Sequence, residues 1–138
     1  MPPTNYAINK HLNLDFGGTA YSPPGTYYIG MSTTLLAATD TSGSVATEPT
    51  TGSYARVPFT NNKSNWSTAT AQNLYNITSA SFPQSSASQG TMVSVFLADN
   101  VTTGSGIIWY YYTLTPPIIV QQNTIVPFDT GSITASET

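Results

Sequence analysis

The chain has 138 residues, the length of one ordinary domain; 39% of them are hydrophobic, only 7% are charged, and the formal net charge is −3. Three basic residues cannot build the Lys/Arg footprint of a nucleic-acid binder or a polybasic membrane patch. With no cysteine and a single histidine there is no disulfide framework and no thiolate metal site, so neither metal nor cofactor is expected.

Pro2 and Pro3 favour an extended N-terminal arm. Thr4 reads as the N-cap of a short helix over 5–16, with Ile8, Leu12 and Phe16 as its apolar stripe and Gly17-Gly18 as its end. Pro24-Gly25 sets a reversal. Residues 26–34 then alternate as a strand, with Tyr27, Ile29 and Met31 on one side. Residues 37–52 show no period and read as a long surface loop, a contact loop by its length. A second strand is expected over 53–59, where Pro58 lacks a backbone donor and argues against a central position. Trp66 follows a polar turn and reads as an anchor into the core. Alternation recurs over 76–83, 91–98 and 106–115, then in short stretches at 118–120, 124–128 and 132–135. Within 106–115, Ile108, Tyr110, Tyr112 and Leu114 should face away from Ile107, Trp109 and Tyr111, and apolar groups on both sides require cover on both sides.

Short strands separated by Gly, Pro and Asn turns indicate an all-β, single-domain antiparallel sandwich or barrel with a short N-terminal helix and a Pro-containing N-terminal arm. One domain over 1–138 is expected, with 1–18 as arm and helix and 19–138 as the β-sandwich. The longest apolar run, Ile107–Tyr112, is far short of the ~20 residues of a membrane span. The N-terminal Met-Pro-Pro-Thr-Asn-Tyr has neither a basic nor an apolar region, so no secretory signal is expected.

Groups that move protons or form covalent bonds are few. His11 sits beside Lys10 in the expected helix and reads as a solvated or packed histidine rather than a member of a triad. The six carboxylates are scattered, and Asp99 and Asp129 read as turn-capping groups at strand ends. A glycosidase needs two carboxylates flanking one cleft, and nothing in the spacing marks such a pair. No catalytic residue is therefore assigned, and no enzymatic activity is expected. Four Asn-X-Ser/Thr matches, at Asn62, Asn65, Asn76 and Asn100, follow from a composition that holds 39 Ser and Thr residues. The run Trp109-Tyr110-Tyr111-Tyr112 fits an ordinary core strand, a protein interface or a sugar-stacking platform.

Several stretches, in order, resemble a family of small tailed-bacteriophage virion proteins. They are Thr4-Asn-Tyr before a helix; Gly17-Gly-Thr-Ala-Tyr-Ser-Pro-Pro24; Tyr27-Tyr-Ile-Gly-Met-Ser-Thr-Thr34; Glu48-Pro with Ser53-Tyr-Ala-Arg-Val57; and Asn61-Asn62 with Asn65-Trp66. Ile77, Ser81-Phe-Pro83, Gly90-Thr-Met-Val, Phe96-Leu-Ala-Asp99, Gly104, Leu114-Thr, Ile125 and Phe128 complete the series. The order and spacing carry the resemblance, while the Ser/Thr-rich loop at 39–47, the Trp-Tyr-Tyr-Tyr run and the sparse charge depart from it.

The resemblance implies a non-enzymatic structural protein of a phage particle, made in the host cytoplasm. Without heptads or shaft repeats, a chain this short is expected to decorate the capsid surface as a cement protein. Its partners would be the major capsid protein and copies of itself, as a dimer or trimer, with no nucleic acid and no membrane. The alternative is a tail or baseplate accessory protein, with a host glycan as partner if it forms a receptor tip. The interface candidates are Pro2, Pro3 and Tyr6 in the arm and helix, Thr41, Val45 and Glu48 in the long loop, and Tyr110 and Tyr112 in the aromatic run.

Overall fold

The structure is a computed structural model that describes residues 1–137. In chain order its elements are α1 (Asn5–Asp15), β1 (Thr26–Ser32), a single 3-10 turn at Gly43–Val45, β2 (Val57–Thr60), β3 (Asn73–Tyr75), β4 (Ala80–Ser81), β5 (Gly90–Ala98), β6 (Ile108–Val120), β7 (Pro127–Phe128) and β8 (Thr134–Ser136). Four of them form one antiparallel sheet in the order β2-β1-β5-β6, and β3-β8 and β4-β7 form two short ladders. The fold is all-β apart from α1, and it is an open sandwich rather than a closed barrel. Pro58 lies in β2, an edge strand, as its missing donor requires.

The period-2 pattern sorts the sheet into two faces. On the first face Tyr27 opposes Phe59, Ile29 opposes Leu97, and Met31 opposes Val95. These side chains are buried under Trp66, Phe82, Val126, Phe128 and Ile133 from the ladders and their connections. On the second face Gly30 opposes Phe96, and Phe96, Ala98 and Ile108 are covered by Leu36 and Ala46 from the 33–56 segment. A side chain at Gly30 would meet the Phe96 ring, since a Cβ there falls 2.2 Å from Cζ. Phe96 fills the space that a side chain at that position would take.

A polar node holds the second face. Arg56 and Glu48 form a fully buried, two-pronged ion pair, Nε to Oε1 at 2.9 Å and Nη2 to Oε2 at 2.7 Å. Arg56 Nη1 also donates to the carbonyls of Asn100 and Ser105, at 2.7 and 2.9 Å, and the guanidinium lies 5.1 Å from the Phe96 ring centre. Glu48 accepts from Gly104 N–H and from the Tyr54 hydroxyl, both at 2.8 Å, and that hydroxyl accepts from Met31 N–H of β1 at 2.9 Å. Both charges are thus paired and hydrogen-bonded, the condition under which burial is tolerated. Burial, then the neighbouring Glu48 carboxylate, push the Tyr54 phenol well above its ordinary range. The 37–52 loop is therefore not free: its Glu48 ties it to β1, to Arg56 and to the β5–β6 connection.

Several elements differ from the sequence pattern, each for a physical reason. The β5–β6 pairing runs in two registers: Met92 opposes Ile118, whereas Ser94 opposes Thr113, so β6 carries extra residues around Pro116 and Pro117. That bulge merges the stretches expected at 106–115 and 118–120 into one long strand. A second irregularity lies between Leu97, opposite Tyr110, and Ala98, opposite Ile108. The extra residue is Trp109, which breaks the expected alternation: the rings of both Trp109 and Tyr110 pack against Tyr27. The 76–83 alternation yields only the two-residue β4, because Asn76 is fully buried and spends its amide on Thr78 O, Asp129 O and Ile133 N–H.

At the N-terminus, Thr4 takes the N-cap position but not the cap hydrogen bond; its hydroxyl donates to Ile108 O at 2.7 Å instead. In α1 only Ala7 is buried, and the expected stripe is largely exposed, Phe16 at 85%. The arm does not project. Pro3 is buried and bridges to Tyr110, Tyr111 N–H donates to Pro2 O, and Ser136 N–H donates to Met1 O. Residues 1–3 thus lie between β6 and β8 and join the main sheet to a ladder.

Candidate functional site

A cleft of about 380 Å³ opens where α1, the 61–67 turn, β1 and β6 meet. Its walls are aromatic: Tyr21 from the turn before β1, Tyr27 from β1, Trp66 from the polar turn and Tyr110 from β6. Leu74, Leu97 and Ala135 add apolar surface, and His11, Asn61, Asn62 and Lys63 add polar groups. Behind the cleft Trp109 organises the rings: Tyr21 stacks on it at 5.9 Å, and Tyr6 and Tyr27 meet it edge-on at 5.2 and 6.3 Å. Trp109 is itself held by Asp99, whose other carboxylate oxygen accepts from Ile107 N–H. Asp99 therefore does turn-capping work, as the sequence suggests.

The polar atoms of the cleft fall into two groups. Asn61 is spent on Pro24 O, Asn62 on the N–H groups of Ser64 and Asn65, and His11 pairs with Glu137 at 2.8 Å. The hydroxyls of Tyr21, Tyr27 and Tyr110, by contrast, have no hydrogen-bond partner among the described residues, and all three residues line the cleft. Burial pushes all three phenols up. Tyr110, raised to about 12, also feels Glu137 and Tyr21, and Tyr27 feels Tyr110 and Tyr21. Neutral, hydrogen-bond-ready hydroxyls therefore converge on one aromatic hollow. Trp66 Nε1–H is buried and also has no partner among the described residues.

The residues singled out from sequence separate in space. Tyr6 and Tyr110 belong to the aromatic cluster at the cleft. Thr41 and Val45 keep surface in the long loop, Val45 at 47%, and Tyr112 is 48% exposed on β6. Pro3 and Glu48 need correction as contact residues. Pro3 is buried against Tyr110, and Glu48 is locked in the Arg56 pair, so neither offers a free surface. Pro2 is partly covered, and its carbonyl is used by Tyr111. Sequence reasoning missed Tyr21, Tyr27 and Trp66 as cleft residues, because each reads alone as a turn, strand or core aromatic and only the fold brings them together.

Among the described residues, no group of three or more His, Asp or Glu side chains is placed to hold a metal ion, and no helix is long and apolar enough to cross a membrane. Residues 2–136 match the family described as the podophage GP4 fiber I protein gp80. The chain belongs to that family. It is thus a structural protein of a tailed-phage virion, in keeping with the resemblance carried by its motifs. No curated protein matches the chain. Nearly the whole of this fiber-family chain is covered by the match, including every element from α1 to β8.

Proposed function

We propose that the chain is a non-enzymatic fiber subunit, attached to the tail of the particle and docked on other virion proteins and on copies of itself. The observation that carries this reading is the match of residues 2–136 to a family described as a fiber protein. The low charge supports docking, because interface cores are depleted in charged groups. Docking draws on residues that keep surface, such as Thr41, Val45 and Tyr112, rather than on the arm. The β2 edge is a further pairing site, since among the described residues no strand lies beside its outer backbone groups.

Decoration of the capsid is the competing assignment, and compactness favours it: the longest strand has 13 residues, and no repeated shaft unit is present in the sequence. In that case the protein would bind the major capsid protein and stabilise the assembled shell by mass action. Copy number separates the two. Purified virions are expected to hold a few to some tens of copies, with antibody labelling confined to the tail. Hundreds of copies, in a simple ratio to the major capsid protein, would overturn the fiber assignment in favour of decoration.

A further inference from the structure

We propose that the cleft walled by Tyr21, Tyr27, Trp66 and Tyr110 is a saccharide-binding site, sized for one or two sugar rings. The inference goes beyond the placement of the protein in the particle and holds for either attachment site.

The first argument is hydrogen bonding. Tyr27 is 8% exposed, yet its hydroxyl has no partner among the described residues, and Tyr27 lines the cleft beside Tyr21 and Tyr110, whose hydroxyls also lack one there. An apolar occupant, such as a leucine side chain from a protein, would strip water from these hydroxyls and leave them unpaired. Each unpaired group would be penalised by about 1–3 kcal/mol. An occupant that brings its own hydroxyls satisfies them instead, and each phenol can both donate and accept.

The second argument is shape and surface. A sugar ring has a polar rim and apolar C–H faces. Aromatic walls match those faces, and the phenol tips match the rim. The Tyr21 ring is already fixed by stacking on Trp109, so the wall is formed before a ligand arrives. The volume, about 380 Å³, lies near the low end of the roughly 300–1,000 Å³ of small-molecule sites.

The third argument is charge. At neutral pH the three phenols remain protonated, and His11, which lines the cleft, is paired with Glu137. Among the described residues, Lys63 is the single Lys or Arg lining the cleft, and no carboxylate lines it. This suits an uncharged or weakly acidic sugar better than a phosphate, which calls for several cations or backbone amides.

The test uses the purified full chain and does not depend on where it sits in the virion. Glucose, galactose, rhamnose, N-acetylglucosamine and disaccharides of each are titrated while tyrosine fluorescence and ligand saturation-transfer NMR are recorded. At least one sugar is expected to bind saturably. Its affinity should fall tenfold or more in Tyr27→Phe and in Tyr110→Phe, each of which removes a single oxygen. Tyr112→Phe, outside the cleft, should bind as the parent does. Unchanged thermal unfolding of the Phe variants would show that lost binding is not lost folding. If a variant does not fold, proton-resolved titration of the parent must show shifts confined to Tyr21, Tyr27, Trp66 and Tyr110. Absence of saturable binding across the panel, or binding that both cleft variants leave intact, overturns the proposal.

Discussion

The two faces of the central sheet are held by different physics. The first face is covered by a broad apolar cluster drawn from both ladders, in which Ile29, Met31 and Leu97 are essentially inaccessible. The second face has a small apolar cluster around Phe96, and its covering segment is pinned by one ion pair and the hydrogen bonds that surround it. Apolar burial is non-directional and spread over many contacts, so the first face can leave a hollow beside Tyr27 and stay folded. The node is directional: Glu48 and Arg56 join β1, the long loop and the β5–β6 connection, and removal of either strands the other. A broad core tolerates a gap, while a polar staple tolerates none.

The most severe way to break this contrast is Arg56→Ala, which leaves Glu48 buried and unpaired. It should lower stability by about 3–5 kcal/mol in urea unfolding and raise amide exchange across the 37–52 and 99–106 segments. The double change Glu48→Leu with Arg56→Met should recover only part of that loss, because an apolar pair removes the stranded charge but leaves Gly104 N–H and the carbonyls of Asn100 and Ser105 without these partners. A double variant as weak as Arg56→Ala would show that the loop is held by the directional bonds themselves.

A smaller loss is expected for Tyr54→Phe. Its hydroxyl bonds the Glu48 carboxylate and Met31 N–H, and hydrogen bonds to a charged group are worth about 1.5–3 kcal/mol. The same edit on the other face, Tyr110→Phe, should change stability by less than about 0.5 kcal/mol, since its hydroxyl has no partner to lose among the described residues. Equal costs at the two positions would erase the distinction between staple and cleft.

Alkaline titration sharpens the comparison further. Unfolded tyrosine ionises near pH 10, and burial, followed by Glu137 and Tyr21, raises Tyr110 to about 12 in the fold. The folded state thus keeps a proton that the unfolded state has released. The stabilisation is complete below about pH 10 and is lost as pH rises through 12. The part of the tyrosinate absorbance that Tyr110→Phe removes should appear late and together with unfolding. Ionisation of Tyr110 near pH 10 with the fold intact would contradict its burial.

Much of this architecture is legible in the sequence where one local rule acts alone. Alternation marks β1 and β5, Pro58 marks an edge strand, and Trp66 reads as a core anchor before any fold is known. What escapes is set by distant contacts. Ile8, Leu12 and Phe16 make a helical stripe on paper, but Ala7 is the only buried residue of α1, and the helix contacts the sheet through Thr4 and Tyr6 instead. Two prolines suggest a free arm, yet backbone bonds to Tyr111 and Ser136 tie it down. Glu48 looks like a surface charge until Arg56, eight residues on, folds back over Phe96 to meet it. Of the cleft, Tyr110 is visible as part of an aromatic run. Tyr21 and Tyr27 are not, since their roles arise only when three separated segments converge.

The irregularity at Trp109 links chain length to the surface chemistry. Deleting one residue between Ile107 and Tyr110 would restore a regular hairpin and rotate one aromatic ring away from Tyr27. The backing of the cleft would go with it, although every wall residue would still be encoded. The hollow thus depends on a count of residues as much as on their identity, and across variants of this chain a frame-preserving deletion there should remove it more surely than any single substitution.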